Sequence, residues 1–290
     1  MIGPQRLSIN HETVYRYQQP VSFNEHRAMF RPRDSHDLRL IDAQLVLSPP
    51  GSVRWIHDVF SNSIALITFS DMADELRFES RIEIEHYGLD QPTFQIRPYA
   101  ATYPFRYSND QIADLLPTLQ CHYPDPEGAV SAWARQFVAP GGIDTQELLV
   151  CITHAIKERF VYQARAIHGT QTPTETLALG SGTCRDFALF MIEAVRSLGM
   201  PARFVTGYLY DPSAGEALLG TGATHAWVQV YLPGAGWVEF DPTNGLVGGA
   251  HLIRVAVARD PRQAMPLKGS FHGYASDFIE MLVDVRVTEL

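Results

Sequence analysis

The spacing of apolar residues changes part-way along this sequence, and this change limits the folds that the chain can adopt. In the stretch 81–86, Ile82 and Ile84 alternate with charged neighbours, which is the period of two expected for a half-buried β-strand. Other stretches of the first 90 or so residues are rich in Val, Ile, Tyr and Phe, with Gly, Pro, Asn and Asp clustered between them. Beyond residue 124 the apolar residues recur at helical spacing instead. The first part therefore predicts an antiparallel β-sandwich or meander.

The second part begins with helices and continues as strands. Helix-period runs at 125–138 and 144–160 precede a third at 184–198, and five strand-like stretches follow it. This order predicts an α+β domain. We therefore expect a β-rich N-terminal domain at 1–90, a proline-containing linker at 91–123 with one short helix near 110–116, and a second domain at 124–290.

Composition argues against several classes of function. The formal net charge is −9 and no long run of Lys or Arg occurs, which argues against a nucleic-acid binder. No window approaches the ~18 apolar residues of a membrane span, and the first 20 residues do not resemble a signal peptide. The three cysteines are odd in number and widely spaced, so a disulfide framework is not expected. We expect a cytoplasmic protein without nucleic-acid or membrane partners, and the sequence leaves its oligomeric state open.

Cys184 stands directly before an apolar stripe at helical spacing, formed by Phe187, Phe190, Ala194 and Leu198. Gly199 is a natural residue to end this helix, and Ser181 or Thr183 can cap its start. Cys184 is therefore expected in the first helical turn, where unpaired N–H groups and the helix dipole favour a thiolate and can hold an oxyanion. A buried structural cysteine is the competing interpretation, and position alone does not decide between the two.

Two downstream segments contain a candidate base and a group to orient it. His225 begins a predicted strand on the face that also carries Trp227, while the opposite face is wholly apolar. Asp241 ends the next predicted strand and precedes a proline. A structural histidine at a strand start and a turn-initiating Asp-Pro are the alternatives when each residue is taken alone. Taken together with Cys184, they predict a Cys–His–Asp catalytic triad.

The hairpin between these strands makes the triad testable, because a one-residue slip moves every side chain to the other face. If Leu232 pairs with Trp237, Asp241 lies on the apolar face, away from His225. If Leu232 pairs with Gly236 around a Pro-Gly-Ala loop, Asp241 faces Trp227, diagonal to His225. The triad requires the second register.

Three segments with these features resemble the transglutaminase-like superfamily of papain-related cysteine enzymes. They are "GSGTCRDFA", "GMPARFVTGYLY" and "THAWVQVYLPGAGWVEFDPTNG", and the resemblance extends over about 144–246. The β-rich start resembles the N-terminal domain that is often fused to bacterial members. The resemblance implies a papain-like, transglutaminase-like catalytic core, with helices packed on an antiparallel sheet, preceded by an all-β sandwich-like domain.

The resemblance also implies a role for each candidate residue. Cys184 is similar to the family nucleophile, His225 to its general base and acid, and Asp241 to the residue that orients the imidazole. Asp186 belongs to the motif, and we interpret it as structural, with Arg203 as a candidate partner. One departure from the family pattern is Thr224, where many relatives have an acidic residue. No counterpart of the papain oxyanion glutamine precedes Cys184, so Tyr162 and Gln171 are the candidates for a second oxyanion donor.

The expected function is acyl transfer from peptide or glutamine-type amides through a thioester, with a peptide or protein as substrate. Hydrolysis and transamidation both fit the residues. No cofactor or metal is expected, since no calcium loop is visible, and a zinc site made from the three triad residues requires more assumptions. The alternative is a catalytically weak or inactive scaffold whose β domain binds a protein partner.

Overall fold

The computed structural model describes residues 4–88, 94–163, 169–210 and 218–290. The N-terminal strands are β1 (Gln5–Phe23), β2 (His26–Ala28), β3 (Leu38–Ser48), β4 (Gly51–His57), β5 (Ser63–Phe69) and β6 (Ala73–His86). The middle of the chain forms β7 (Thr102–Tyr103), α1 (Asn109–Leu119), α2 (Ala129–Arg135), β8 (Ile143–Asp144), α3 (Thr145–Arg159), β9 (Val161–Tyr162), α4 (Pro173–Leu179), β10 (Ser181–Gly182) and α5 (Cys184–Ser197). The remaining strands are β11 (Ala202–Leu209), β12 (His225–Leu232), β13 (Gly236–Asp241), β14 (Leu246–Val247), β15 (Leu252–Ala258), β16 (Leu267–Lys268), β17 (Phe271–His272) and β18 (Phe278–Glu289).

The N-terminal domain consists of two antiparallel sheets. One has the order β17–β1–β6–β3, with β18 also paired to β1, and the other has the order β16–β2–β5–β4. Side chains from β1, β2, β5 and β6 form one apolar cluster that includes Tyr17, Ile67 and Phe78. The alternation at 81–86 has the predicted consequence, because Ile82 and Ile84 are buried while Arg81 is exposed. The prediction of a sandwich-like β domain is confirmed.

The C-terminal end of the chain lies in this same domain, which the sequence did not indicate. β18 runs antiparallel along β1 from Leu7↔Glu289 to Tyr17↔Phe278, and β16 pairs with β2. The last strands of the segment predicted as one catalytic domain, 124–290, therefore pair with strands of the N-terminal sheets. The period of two predicts that a segment is a β-strand but does not predict which sheet it joins. Strand β1 pairs with β6 along one edge and with β18 along the other. The other predicted boundary, at 90/91, lies outside the described residues.

The described part of the predicted linker, 94–123, packs against the second domain. Phe94, Ile96 and Phe105 contact its apolar core, and the backbone N–H of Arg97 donates to the carbonyl of Pro233 at 2.7 Å. The short helix expected near 110–116 is α1, whose capping box joins Ser108 to Gln111.

Helix α5 lies at the centre of the second domain. It packs on β11 and β12 of a five-stranded antiparallel sheet with the order β14–β13–β12–β11–β15. Its stripe side chains Phe187, Phe190 and Ala194 are buried in one cluster with Val228 and Val230 of β12. The predicted α+β fold, with helices on an antiparallel sheet, is confirmed.

The opposite face of this sheet is covered in part by the N-terminal domain. Tyr208 and Ile253 from the sheet share an apolar cluster with Ile9 and Ile84 from the β domain. A buried polar contact crosses the same boundary, since Nδ1 of His11 lies 3.0 Å from the hydroxyl of Tyr208. The two faces of this five-stranded sheet are therefore covered by different parts of the chain. Among the helices of the described residues, none is both long and apolar enough to cross a membrane.

Candidate active site

Cys184 is the first residue of α5, as the sequence predicts. Thr183 occupies the N-cap position, and the cysteine side chain is buried, with 7% of its surface exposed. The stripe that follows holds the helix on the sheet, so the thiol is fixed at the positive end of the helix dipole. The other two cysteines lie elsewhere, with Cys151 in α3 and Cys121 after α1.

Asp186 secures the start of the helix rather than pairing with Arg203. Its carboxylate accepts hydrogen bonds from the backbone N–H of Thr183 at 2.8 Å and from that of Gln171 at 2.7 Å. Arg203 donates to the side-chain oxygen of Gln229 instead, so the predicted partner was wrong. A capping carboxylate satisfies N–H groups that the first helical turn leaves unpaired. Asp186 thus has the structural role expected for it, but its partners are backbone N–H groups rather than Arg203.

His225 and Asp241 are adjacent because β12 and β13 pair in the register that the triad requires. Leu232 pairs with Gly236, and Val228 pairs with Phe240. Nε2 of His225 lies 2.9 Å from Oδ2 of Asp241, and both side chains are inaccessible to solvent. The register prediction is confirmed.

The buried carboxylate is held by several donors. The backbone N–H of Thr243 donates to Oδ1 at 2.9 Å, and the side-chain amide of Asn244 donates to Oδ2 at 2.8 Å. Burial alone would raise the pKa of Asp241, but the attraction of His225 and these hydrogen bonds outweigh it and lower the pKa. Asp241 is therefore an ionised partner for the imidazole.

The imidazole of His225 has its two nitrogens in different surroundings. Burial acts to lower its pKa, but Asp241 and, more weakly, Cys184 act in the opposite direction, and the net effect raises the pKa. Nε2 is occupied by Asp241, whereas Nδ1 is buried and makes no hydrogen bond within the described residues. With Nε2 occupied, Nδ1 is the nitrogen left available to a thiol.

The turn before β12 lies directly over that nitrogen. A Cβ placed on Gly220, whose φ is +97°, would be 2.5 Å from Nδ1 of His225. Asn244 holds this turn, because its side chain accepts from the backbone N–H of Leu219 at 2.8 Å and donates to the carbonyl of Leu219 at 3.1 Å. One asparagine therefore joins Asp241 to the turn that covers His225. Sequence reasoning missed both Asn244 and Gly220.

Trp227 supports His225 from the same face of β12. The two rings stack with centroids 6.0 Å apart, and the indole N–H donates to the carboxylate of Glu239. Gly207 on β11 pairs with His225, and a Cβ there would lie 2.0 Å from the carbonyl oxygen of Ile253 on β15 and 2.8 Å from the Trp227 ring. The glycine in "TGY" is thus required by the close approach of β15 and by the packing of the indole.

The two candidates for a second oxyanion donor differ in what they contact. The side-chain oxygen of Gln171 accepts from the hydroxyl of Thr176 in α4 at 3.1 Å, and its backbone N–H donates to Asp186. Tyr162 lies on β9, paired with β10 just before Cys184. Burial, followed by the charges of Cys184, Asp241 and Asp186, raises the pKa of Tyr162 to about 12. Its phenol therefore keeps its proton at neutral pH beside the thiol.

Within the described residues, no group of three or more His, Cys, Asp and Glu side chains has an arrangement that could hold a metal ion.

Known protein families match both halves of the chain. Residues 131–242 match the model of the transglutaminase-like superfamily, and these residues include Cys184, His225 and Asp241. The segment 131–242 belongs to the transglutaminase-like superfamily. The β domain matches the bacterial transglutaminase-like N-terminal region over 7–85. Membership supports a cysteine-based enzyme at the level of the family.

The relatives of this transglutaminase-like chain match it over segments of different length. An uncharacterized protein of Mycobacterium tuberculosis (strain ATCC 25618 / H37Rv) is 27% identical over 298 residues, covering 98% of this chain and 93% of that protein. A protein-glutamine gamma-glutamyltransferase of Pseudomonas aeruginosa is 38% identical over 66 residues, covering 22% of this chain and 10% of that protein.

One solved structure shares the whole two-domain, transglutaminase-like arrangement. It is that of "a Putative Cysteine Protease from Cytophaga hutchinsonii", with a TM-score of 0.74 and 20% sequence identity. The match covers 99% of this chain and 91% of that one, so the fold is common to both from end to end.

Proposed function

We propose that this protein is a cysteine-nucleophile acyl-transfer enzyme acting on peptide or glutamine-type amides, with Cys184, His225 and Asp241 as its triad. The observation that carries the proposal is the buried 2.9 Å bond between Nε2 of His225 and Oδ2 of Asp241, which leaves Nδ1 for a thiol at a helix start. An imidazole fixed by a carboxylate on one nitrogen and facing a nucleophile with the other is the arrangement of a catalytic triad.

In the first half-reaction, the thiolate of Cys184 attacks the carbonyl carbon of the amide, and the carbonyl oxygen becomes an oxyanion. The N–H groups at the start of α5 and the phenol of Tyr162 are the proposed donors to that oxyanion. When the carbon–nitrogen bond breaks, the leaving amine takes the proton of the His225 imidazolium. The product is a thioester on Cys184 and a neutral imidazole.

In the second half-reaction, His225 removes a proton from water or from a primary amine, which then attacks the thioester carbonyl. The carbon–sulfur bond breaks, the thiolate returns, and the imidazolium is restored beside Asp241. Water gives a carboxylic acid, as in a protease or amidase, and a lysine-type amine gives a new amide, as in a transglutaminase. The partial match to a gamma-glutamyltransferase favours testing for transfer to an amine before testing for hydrolysis.

The first experiment measures the rate at which iodoacetamide alkylates Cys184 from pH 5 to pH 9, followed by peptide mass spectrometry. A triad cysteine reacts quickly well below the ordinary thiol pKa of about 8.5, because the imidazolium stabilises the thiolate. His225→Ala should slow this reaction, and Cys151 in the same sample serves as an internal control. Alkylation of Cys184 that follows an ordinary thiol across this pH range would contradict the proposal and favour the inactive scaffold whose β domain binds a partner.

A second experiment separates the two reactions. A glutamine-containing peptide is incubated with the protein and a labelled primary amine. Release of ammonia together with incorporation of the amine indicates transamidation, and new peptide termini without incorporation indicate proteolysis. Cys184→Ser should abolish either product. Cytoplasmic localisation and the absence of nucleic-acid and membrane partners stay predictions.

A further inference from the structure

A large cavity lies between the β domain and the face of the catalytic sheet turned away from α5. Its volume is about 660 Å³, and its walls come from the 33–37 loop of the β domain and from strands β11, β12, β13 and β15. One wall is continuous with the active site, since Glu239 lines the cavity and accepts the indole N–H of Trp227. The Cys184 chemistry proposed above makes no use of this cavity.

The acidic residues in the cavity wall are already paired. Glu239 accepts from the side-chain amide of Gln229 at 2.6 Å and from Arg254 at 2.8 Å. Arg254 also bonds to Asp37, at 3.2 Å. Glu239 and Asp37 are therefore satisfied by Arg254 and by neutral donors.

Two arginines of the wall pair with no described carboxylate: the exposed Arg33, which donates to the carbonyl of Phe60 at 3.4 Å, and the half-buried Arg203. Nε of Arg203 donates to the side-chain oxygen of Gln229 at 2.7 Å, and its guanidinium lies over the Trp237 ring, 4.0 Å from the centroid. Elsewhere in the described chain no group accepts a hydrogen bond from the two terminal nitrogens of this half-buried residue. Burial lowers the pKa of Arg203 to about 10, with Glu239 only partly offsetting it, so the group is charged at neutral pH but poorly compensated.

The two terminal nitrogens of Arg203 determine which chemical groups of a ligand can pair with it. Two parallel N–H donors on a planar guanidinium match the two oxygens of a carboxylate. The aromatic side chains of Phe60, Tyr87 and Phe94 line the same cavity and can contact an apolar body. The carboxylates of Asp37 and Glu239 in the wall disfavour a second negative charge on the ligand.

We propose that this interdomain cavity binds a monocarboxylate with an apolar or aromatic body, and that Arg203 pairs with its carboxylate. The site is built from both domains, and it is distinct from the Cys184 site on the other side of Trp227. The cation held flat against Trp237 is already oriented, so little side-chain freedom is lost on binding.

The test uses 3-phenylpropionate as the probe, titrated into the full chain and followed by calorimetry and by tryptophan fluorescence. The neutral analogue 3-phenylpropanamide has the same body without the charge, and inorganic phosphate represents other oxyanions. We expect the acid to bind at least about tenfold more tightly than the amide or phosphate, which corresponds to ~1.4 kcal/mol. Arg203→Gln should weaken binding of the acid at least about tenfold. Arg81→Gln, at an exposed pair with Glu79, should leave it unchanged.

Three results would overturn the proposal. The first is binding of the amide as tight as that of the acid, which needs only the wild-type protein and so does not depend on how Arg203→Gln folds. The second is equal binding of phosphate, which would assign the cavity to oxyanions in general. The third is absence of acid binding to the wild-type protein up to millimolar concentration, which would leave the cavity as a solvent-filled domain boundary.

Discussion

Asn244 and Asp241 are joined by a 2.8 Å hydrogen bond from the asparagine amide to the same carboxylate oxygen that contacts His225. The asparagine also makes two hydrogen bonds with the backbone of Leu219. A single buried side chain therefore sets both the orientation of the carboxylate and the position of the turn over the imidazole. Asn244 acts as a positioning residue, since it reaches the proposed nucleophile only through other groups.

Replacing Asn244 by alanine should reduce the reactivity of Cys184. Asp241 loses one of its donors and the Leu219 turn loses its anchor, so we expect alkylation of Cys184 at pH 6 to slow by about tenfold, which corresponds to ~1.4 kcal/mol. The matched control is Thr243→Val, because the Thr243 hydroxyl is buried without a hydrogen-bond partner in the described structure. That substitution should leave reactivity and stability nearly unchanged. Equal effects of the two variants would contradict a positioning role for Asn244.

Asp241→Asn should lower the pKa of His225, because it removes the main attraction that opposes burial. Once this pKa lies below 6, the imidazolium fraction at pH 6, and with it the alkylation rate of Cys184, should fall by about tenfold for each further unit lost. The control is Asp277→Asn, a buried carboxylate that accepts from the side chain of Gln19 and from the backbone N–H of Tyr274. An alkylation profile identical to that of the wild-type protein would exclude Asp241 as the orienting group.

The same variant has a signature in stability. A histidine whose folded-state pKa is raised stabilises the folded protein fully below the unfolded value of about 6.5, and this stabilisation is lost as pH rises toward the folded-state pKa. The free energy of unfolding in urea should therefore favour wild type over Asp241→Asn more strongly at pH 6 than at pH 9. If the difference in unfolding free energy between wild type and Asp241→Asn grew with pH instead, this would contradict a stabilising attraction between His225 and Asp241.

Gly220→Ala should slow reaction of Cys184 by displacing the turn over Nδ1 of His225. Its Cβ would meet the imidazole at 2.5 Å, and its φ of +97° is unfavourable for alanine. Gly222→Ala is the matched control, because Gly222 also has a positive φ, of +82°, but nothing lies within 4 Å of an added Cβ. Both variants should lose about 1–2 kcal/mol of unfolding free energy. Only Gly220→Ala should change the alkylation rate, and similar rates for both variants would show that contact with His225 is irrelevant.

His11 should make the contact between the domains sensitive to acid. Burial lowers its pKa to about 4, so between about pH 6.5 and pH 4 the unfolded chain binds a proton that the folded chain does not. Stability is thus complete above pH 6.5 and decreases as pH falls, by up to about 3 kcal/mol. Urea unfolding of His11→Gln should show a smaller loss between pH 7.5 and pH 4.5 than the wild-type protein.

The control for this prediction is His57→Gln, which removes an exposed histidine from β4. It should keep the acid sensitivity of the wild-type protein. If His11→Gln keeps it as well, then other buried histidines such as His26 and His86, whose pKa values burial also lowers, account for the effect.

The contact between His225 and Asp241 was predictable from the sequence because it depends on local rules. A helix stripe fixes the position of Cys184, and the Pro-Gly-Ala turn allows only two registers, of which one brings Asp241 to His225. Tyr162 and Gln171 could be named but not ranked, because their surroundings come from segments far apart in the sequence.

Other features depend on contacts that no local pattern contains. Asn244 resembles an ordinary turn residue after Asp-Pro, and its partner Leu219 lies 25 residues earlier. From the sequence, Arg203 was the candidate cation to pair with Asp186. The carboxylate of Asp186 instead caps α5, and Arg203 lies on a different element, β11. The strand β18 carries a β pattern, but its choice of sheet depends on the free edge of β1.

The pairing of β1 with β18 also bears on the order of folding. Arg16 on β1 forms an ion pair with Glu280 on β18, 264 residues away, at 2.8 Å. Contacts of such long sequence separation are slow to form, because the loop between them must be closed before they contribute. The catalytic core is made mostly of nearer neighbours and can assemble first, which leaves the outer edge of β1 unpaired until β18 arrives. During that interval the edge of β1 is open to strands of other molecules, so refolding should be most vulnerable to aggregation at this late step.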